Sequence, residues 1–192
     1  MHVADQPYLT PDTYLEWEAQ QPARHEYVAG EIFAMVGTTQ RHNAIEINLC
    51  LALRQHLRGR PCQIFIEAIK LRVAKANAYY YPDLMVACGE HRGVAGAGQV
   101  VDDPSLVVEI LSPSSEATDR REKLAAYRSL PTLEEYLVVD QERQRAEIYR
   151  RGGDIGWTHL ICEAGDTLEI ASLGLKLPLA ALYEGTDIAA KS

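Results

Sequence analysis

A chain of 192 residues with 47% hydrophobic and 24% charged residues has the length and composition of one globular domain with a sizeable core. No apolar stretch approaches the ~18 residues of a membrane span, and the first residues lack the basic and apolar regions of a signal peptide. The net charge of −8, from 19 basic and 27 acidic residues, argues against a nonspecific nucleic-acid coat but leaves room for a local basic groove.

The spacing of the cysteines indicates their redox state and the cellular compartment. The four cysteines, at positions 50, 62, 88 and 162, are scattered along the chain and form no C-x-x-C pair. Such spacing predicts neither a zinc site nor a disulfide framework. We therefore expect reduced thiols and a cytoplasmic location.

The first third of the chain predicts two helices separated by a hairpin. Thr10 can cap a helix that has Pro11 at its first position. Residues 27–33 are typical of a short hairpin that turns at Ala29–Gly30. A longer helix is predicted over about 39–57, because apolar residues recur there at three- and four-residue steps.

The middle of the chain predicts strands. Apolar residues alternate with polar ones over 64–68, and the phase then shifts over 69–73, as a bulge or a bend would require. A turn over 74–78 can lead back into a strand that begins near Tyr81. Residues 89–104 contain several glycines but no lysine-serine/threonine sequence, so we expect a flexible surface loop and not a phosphate loop.

The last part of the chain alternates strands with one helix. A buried strand over 106–111 is followed by a helix over about 118–129, with Leu124 and Ala125 expected to face the core. Another buried strand is predicted over 136–139, and antiparallel edge strands over 146–149 and 157–162. This order of elements indicates a mixed α/β fold.

Two acidic residues interrupt apolar strands. Asp83 opens the run 83–87, and Glu109 lies in the middle of 106–111. An unpaired buried carboxylate costs several kcal/mol or becomes protonated, and the commonest use of two converging carboxylates is to bind a hard cation. Two simpler interpretations stay open: Asp83 could be a turn or cap residue after Pro82, and Glu109 a core glutamate paired with an arginine.

The ordered motifs resemble those of the PD-(D/E)XK nuclease superfamily and, more closely, the Uma family of restriction-endonuclease-like proteins. The resemblance extends from about residue 10 to residue 183. It implies a single endonuclease-like domain over 1–192, with a mixed β-sheet flanked by helices and acids at the strand ends. The matching segments are His25–Ile32, the helix with His42, Tyr81–Leu84, Val107–Ser114, Asp119–Lys123, Tyr127 and Glu135–Tyr136.

One position departs from the superfamily pattern, which has a lysine two residues after the strand glutamate. Leu111 occupies that position here. The family resemblance implies that the lysine has moved to the following helix, which indicates Lys123. Arg120, Lys123 and Tyr127 are three and four residues apart, so they share one helix face that could look back at the carboxylates. A solvated surface lysine is the alternative interpretation of Lys123.

The resemblance implies a cytoplasmic, Mg²⁺- or Mn²⁺-dependent DNA endonuclease. Asp83 and Glu109 are the expected metal ligands, and Lys123 is the expected electrostatic or water-positioning group. The alternative is a catalytically inactive DNA-binding or protein-interaction module of the same fold. DNA is the expected partner, no membrane is expected, and a homodimer stays open. Weaker accessory candidates are Glu31, His42, Glu46, Arg120 and Tyr127, each with an ordinary structural role as the alternative.

Two expectations concern the surroundings of this site. Glu67 is expected to be a solvent-facing strand residue. A basic surface is expected around the carboxylates, because several cations fall on or near the two predicted helices. These cations are Arg41, Arg54, Arg58, Arg60, Arg120, Arg121 and Lys123.

Overall fold

The structure is a computed structural model. It describes residues 8–35, 37–89, 96, 98–112, 118–153 and 156–188, with residue 120 described in its backbone only.

Three α-helices occur in the described part of the chain. They are α1 (Pro11–Glu18), α2 (Gln40–His56) and α3 (Leu124–Arg128), and a π-helical turn (Asp119–Lys123) leads directly into α3. Thr10 caps α1 by accepting a hydrogen bond from the Thr13 amide at 3.2 Å, as the sequence predicts. Thr39 caps α2 in the same way, through the amide of His42 at 3.1 Å.

Thirteen strands are described. They are β1 (His25–Val28), β2 (Glu31–Ala34), β3 (Cys62–Ile66), β4 (Lys70–Val73), β5 (Ala78–Tyr80), β6 (Leu84–Cys88), β7 (Val100–Val101), β8 (Leu106–Leu111), β9 (Glu135–Asp140), β10 (Arg145–Arg151), β11 (Trp157–Glu163), β12 (Thr167–Ile170) and β13 (Leu175–Pro178). The predicted β1–β2 hairpin is present, and both of its turn residues have positive φ, 50° at Ala29 and 101° at Gly30. Short 3-10 helices cover Ala74–Ala76 and Leu179–Tyr183.

The strands form two principal sheets and a small hairpin. One sheet has the order β2-β1-β5-β4-β7, the second has the order β11-β10-β9-β8-β6-β3, and β12 pairs with β13. The pairs β4–β7 and β8–β9 are parallel and the others are antiparallel. The predicted mixed α/β fold is therefore confirmed, although β10 lies inside its sheet and only β11 of the two predicted edge strands is at an edge.

Between β3 and β6 the chain crosses from one sheet to the other twice. β3 belongs to the six-stranded sheet and β4 to the five-stranded one, and Glu67, with φ of 43°, lies in the bend between them. The shift in apolar phase is therefore a change of sheet. The predicted strand near Tyr81 is two strands, since β5 ends in one sheet and β6 begins in the other. Asp83 lies in this second crossing, just before β6.

The six-stranded sheet is covered on both faces. Ile45 and Leu49 of α2 pack on one face with Leu84 and Val108. Tyr127 of α3 packs on the other face. Burial of each large apolar side chain stabilises the fold by roughly 1.5–3 kcal/mol, so both helices are tied firmly to the sheet.

Glu109 points to the face of the six-stranded sheet that is opposite α2. Val107 and Leu111 belong to the cluster that contains Tyr127. Successive strand side chains alternate between faces, so Glu109 points to the side of the sheet that α3 covers. On α3 itself, Ala125 is exposed whereas Ala126 is buried. The expectation that Ala125 faces the core was wrong because the π-helical turn shifts the phase of the helix.

The expected reduction of all four thiols was wrong for two cysteines. Cys62 and Cys88 form a disulfide with an S–S distance of 2.02 Å. They are directly opposite each other in the antiparallel β3–β6 pair, a long-range pairing that spacing along the chain does not reveal. Cys50 and Cys162 are free.

Two further expectations concern the loop after β6 and a membrane span. Residues 90–95 and 97 of the predicted loop lie outside the described residues, and its described end contains β7. Among the described helices, none is long and apolar enough to cross a membrane.

Candidate active site

Asp83 is held where the chain enters the six-stranded sheet. Its Oδ2 accepts a 2.6 Å hydrogen bond from the amide of Ile110, one residue beyond Glu109 on the neighbouring strand. Its Oδ1 is 3.2 Å from Nε2 of His42, near the start of α2. The carboxylate therefore accepts a backbone hydrogen bond from a distant segment of the chain, and it faces the strand that carries Glu109.

Glu109 is buried in the middle of β8, with 3% of its surface exposed. Its Oε1 accepts hydrogen bonds from the hydroxyl of Tyr127 at 2.7 Å and from Nζ of Lys123 at 3.1 Å. Both donors come from the helix that covers this face of the sheet. Among the described side chains, the cation paired with Glu109 is a lysine and not the arginine of the alternative interpretation.

Lys123 is the centre of a buried ionic cluster. Its Nζ lies 3.0 Å from Glu26, 3.1 Å from Glu109 and 3.2 Å from Asp119, and the residue is 6% exposed. The same ammonium lies 5.7 Å from the centre of the Tyr80 ring. The alternative of a solvated surface lysine was therefore wrong.

Two acids of this cluster were absent from the predicted site. Glu26 lies on β1 of the five-stranded sheet, and its Oε1 also accepts the amide of Tyr81 at 3.2 Å. Asp119 lies one helical turn before Lys123 and is 1% exposed. Both acids belong to segments that carry the family resemblance, but nothing in the sequence shows that β1 passes close to the Lys123 ammonium. The i, i+4 spacing of Asp119 and Lys123 was the one local signal available.

These residues line a cleft of about 700 Å³. Among the described residues, six acids line it, against the two cations Arg24 and Lys123 and the imidazole of His42. The acids are Glu26, Glu67, Asp83, Glu109, Asp119 and Glu122. The expected basic surface is therefore absent from the described lining of the cleft.

Other predicted cations are engaged elsewhere. Arg41 donates to Glu142 and Asp187, outside the cleft lining. Arg60 donates to the carbonyl of Leu173 at 2.8 Å. Both guanidinium groups therefore serve the fold and not the cleft.

Of the five accessory candidates, two contact the central carboxylates, two do not line the cleft, and the side chain of the fifth is not described. His42 and Tyr127 contact the two central carboxylates, as described above. Glu31 lies 3.4 Å from the hydroxyl of Tyr8 and is not among the cleft-lining residues, and neither is Glu46, which is 5% exposed. The side chain of Arg120 lies outside the described part of the structure.

Glu67 also differs from expectation. It lies in the bend between the sheets and not in a strand, lines the cleft, and is 3.6 Å from Arg24.

Burial and repulsion dominate the electrostatics of Glu109. Burial raises the pKa of this carboxyl well above its ordinary range; the Lys123 ammonium opposes the shift, and the charges of Asp119, Asp83 and Glu26 add to it. For Lys123, burial lowers the pKa, but attraction to Glu109, Glu26 and Asp119 outweighs it and raises the pKa well above the ordinary value. The lysine is therefore firmly protonated while Glu109 resists ionisation.

The α2 side of the cleft shows the same pattern. Burial lowers the pKa of His42, but the hydrogen bond and charge of Asp83 outweigh it, so that the net pKa is raised. Burial, followed by the charges of Glu67 and Asp83, raises the pKa of Glu46 to about 7. Negative charge is thus in excess on both sides of Asp83, which favours a cation there.

The donor set fits a hard divalent cation in kind. Asp83, just before β6, and Glu109, on the adjacent strand β8, offer carboxylate oxygens to one cleft. The described residues contain no group of three His, Cys, Asp or Glu side chains arranged to hold a metal. Mg²⁺ suits a two-carboxylate site, because it keeps several water ligands and completes its shell with substrate phosphates.

Comparison with known proteins assigns the chain to a family. The model of the family Uma2, described as "Putative restriction endonuclease", matches residues 11–180. An uncharacterized protein of Synechocystis sp., slr1290, is 36% identical over 179 residues, which cover 93% of this chain and 93% of that protein. A second uncharacterized Synechocystis protein, sll1609, is 35% identical over 178 residues, covering 92% of this chain and 99% of that protein.

A solved structure has the same fold. The crystal structure of a putative nuclease belonging to DUF820 from Anabaena variabilis matches with a TM-score of 0.73 and 19% sequence identity. The match covers 91% of this chain and 97% of that chain. At this level of identity the match shows the fold alone.

Proposed function

The chain belongs to the Uma2 family, and on that premise we propose that it is a cytoplasmic, Mg²⁺- or Mn²⁺-dependent endonuclease that hydrolyses phosphodiester bonds of DNA. The observation that carries the proposal is the convergence of Asp83, Glu109 and Lys123 on one cleft. Their side chains come from three separate elements, and two of them are buried ionisable groups, which cluster at functional sites.

Asp83 and Glu109 would hold the divalent ion. When bound, such an ion supplies a water of lowered pKa and neutralises charge on the scissile phosphate. The protein fixes both oxygen donors beforehand: the Ile110 amide and His42 orient Asp83, and Tyr127 orients Glu109. Fixed donors lose little further freedom when the ion and the phosphate bind.

Lys123 would act as a fixed positive charge beside the reacting phosphate. Three carboxylates hold its ammonium within 3.2 Å, so its position does not depend on the mobility of a surface side chain. A preorganised charge in a site sheltered from water stabilises developing negative charge more than the same charge in solution. Its raised pKa keeps the ammonium protonated throughout, so it would act on the phosphate through its charge.

The second candidate is an inactive module of the same fold that binds DNA or protein. Two observations favour it. Three carboxylates already balance the charge of Lys123, and acidic residues outnumber cations in the described lining of the cleft. In such a module the cluster would only tie α3 to the two sheets. Metal-dependent turnover separates the two candidates, because an internal ion pair needs no divalent ion.

The proposal is tested with supercoiled plasmid, purified protein and Mg²⁺ or Mn²⁺. We expect nicking by the wild type, loss of nicking in Asp83→Ala and Glu109→Ala, and no loss in the control Glu134→Ala, which removes an exposed acid outside the cleft lining. Thermal melts confirm that each variant is folded. Nicking by both cleft variants at the wild-type rate would contradict the site assignment.

A further inference from the structure

We infer that a strip of cations around one half-buried aromatic ring, at the far end of the helix that follows Lys123, binds the phosphate backbone of DNA. This inference rests on the proposed function and names the surface that would hold the substrate. The strip, here called the basic strip, consists of Arg72, Lys75, Arg128, Arg151 and Trp157.

Aromatic rings position two of the guanidinium groups. Arg128 lies 5.5 Å from the centre of the Tyr149 ring and 5.7 Å from that of Trp157. Arg151 lies 4.7 Å from the same Trp157 ring. A cation–π contact orients a guanidinium without cancelling its charge, as a carboxylate would. Both arginines therefore keep a full positive charge at the surface.

The other two cations continue the strip. Arg151 donates hydrogen bonds to the carbonyls of Leu130, at 2.6 Å, and Leu133, at 2.7 Å. Leu130 in turn lines a second cavity, of about 370 Å³, together with Arg72 and Lys75. One acid, Asp102, also lines this cavity. Arg128 and Arg151 thus share Trp157, and Arg151 shares Leu130 with the cavity of Arg72 and Lys75, so the four cations are linked and outnumber Asp102.

The strip's cations have no carboxylate partner among the described residues. Arg72, Lys75, Arg128 and Arg151 are exposed. The described ion pairs use other cations, namely Arg24, Arg41, Lys123, Arg143, Arg145, Arg150 and Lys176 with the histidines at 25, 42 and 159. Four cations without a described carboxylate partner therefore lie along this strip, in a chain with a net charge of −8. Phosphates are the acceptors that several guanidinium groups bind best.

The position of the strip suits a substrate whose scissile phosphate lies in the cleft. The acid-rich lining cannot itself attract a polyanion, so binding energy has to come from cations beside it. Arg128 follows Lys123 by five residues, which is about 7.5 Å of helix rise and about 140° of rotation, so it lies on the exposed side of the helix whose buried side carries Lys123. Duplex DNA carries one charge per ~1.7 Å of its axis, so a duplex at the cleft presents several phosphates over that distance.

The test measures binding without cleavage. A fluorescent DNA duplex and a single strand of the same sequence are titrated in EDTA at several NaCl concentrations. The variants are Lys75→Ala/Arg128→Ala and, sparing the aromatic contacts, Arg72→Ala/Lys75→Ala. The control Arg54→Ala/Arg58→Ala removes two exposed cations from α2 and the turn after it, outside the strip.

Each strip variant should weaken duplex binding by about tenfold or more near 0.1 M salt and flatten the log–log salt slope by about 1.8, whereas the control should stay within about threefold of the wild type. Equal loss in the control, wild-type affinity in both strip variants, no measurable binding by the wild type, or equal competition by polyglutamate would each overturn the inference.

The two proposals fail separately. If the strip variants bind DNA like the wild type while Asp83→Ala abolishes nicking, the strip is wrong and the endonuclease stands. If the strip variants lose binding but the wild type never nicks DNA with Mg²⁺ or Mn²⁺, the strip stands and the endonuclease is wrong.

Discussion

Lys123 Nζ lies 3.1 Å from Oε1 of Glu109, although fourteen residues separate them in the chain. The superfamily pattern places a lysine on the same strand as the glutamate, two residues later, where this chain has Leu111. Here Lys123 lies in the helical segment that covers the strand, so the Lys123–Glu109 pair joins two separate elements. The contact gives the helix a place in the candidate site and makes the site sensitive to how that helix packs.

The first prediction concerns the role of Lys123 in catalysis. Lys123→Met keeps the length of the side chain but removes its charge, so we expect the nicking rate to fall ~100-fold, the scale of losing one preorganised electrostatic group. Mn²⁺ affinity should not fall, because an ammonium is not a metal ligand. The control Lys176→Met removes an exposed lysine that pairs with Glu169 at 3.0 Å. Wild-type nicking by Lys123→Met would make Lys123 purely structural.

The second prediction concerns the same substitution and stability. Removing Lys123 leaves three acids beside an uncharged side chain, and breaking a buried ionic contact of this kind costs roughly 3–5 kcal/mol. Urea unfolding without metal should show this loss in Lys123→Met and almost none in Lys176→Met. A change below about 1 kcal/mol would indicate that the carboxylates simply become protonated.

The third prediction concerns Glu109→Gln. The pKa of Glu109 is raised by burial and by neighbouring acids, so its contribution to stability is fully present below its unfolded pKa of about 4.3 and is lost as pH rises through the higher folded pKa. The amide keeps the shape and removes this loss, and Lys123 retains Glu26 and Asp119. Metal-free Glu109→Gln should therefore be at least as stable as the wild type at pH 8.

Thermal melts with and without Mg²⁺ check this prediction. The wild type should gain melting temperature from Mg²⁺, since the ion binds the folded state, and Glu109→Gln should gain none. Glu134→Gln, an exposed acid outside the cleft, should behave like the wild type. A large loss of stability in metal-free Glu109→Gln would show that the ion pair with Lys123 is the main role of Glu109.

The fourth prediction concerns Glu46. Its pKa is raised to about 7, mainly by burial, so its contribution to stability is present below about pH 4.3 and disappears as pH rises through 7. Glu46→Gln removes that loss. Its melting temperature should exceed that of the wild type at pH 8 and converge with it toward pH 4. A variant less stable than the wild type at pH 8 would show that the ionised carboxylate is satisfied in the folded protein.

The fifth prediction concerns the Cys62–Cys88 disulfide. The bond closes a loop of 26 residues, so chain entropy suggests that its reduction costs about 3 kcal/mol. Thiol titration of the unfolded, unreduced protein should count the two free cysteines, Cys50 and Cys162, and four thiols after reduction. Cys62→Ser/Cys88→Ser should lower the melting temperature more than Cys50→Ser/Cys162→Ser. Four thiols before reduction would show that the pair is reduced in solution.

The sequence predicts local features of this fold well. The Thr10 cap, the turn at Ala29–Gly30 and the apolar periodicity of α2 depend on neighbouring residues, and the structure contains all of them. It also singles out Asp83 and Glu109, because a carboxylate inside an apolar strand stands out. The ordered motifs supply the family and the fold.

Long-range features are harder to predict because they depend on how elements cross. Glu26 is an ordinary strand residue in sequence, and only the meeting of the two sheets brings it to Lys123. The Cys62–Cys88 bond requires the β3–β6 register. The acid-rich lining of the cleft was not predicted, because each cation was assigned to a helix without regard to the face of that helix on which it lies.

The central claim is that Asp83 and Glu109 together hold a divalent ion, and calorimetric titration with Mn²⁺ tests it most directly. The wild type should show saturable binding that is lost in both Asp83→Asn and Glu109→Gln, which keep the shape of each side chain, while Glu134→Gln should bind like the wild type. Equal Mn²⁺ affinity in the wild type and both cleft variants, or no binding in any of these proteins, would contradict the claim.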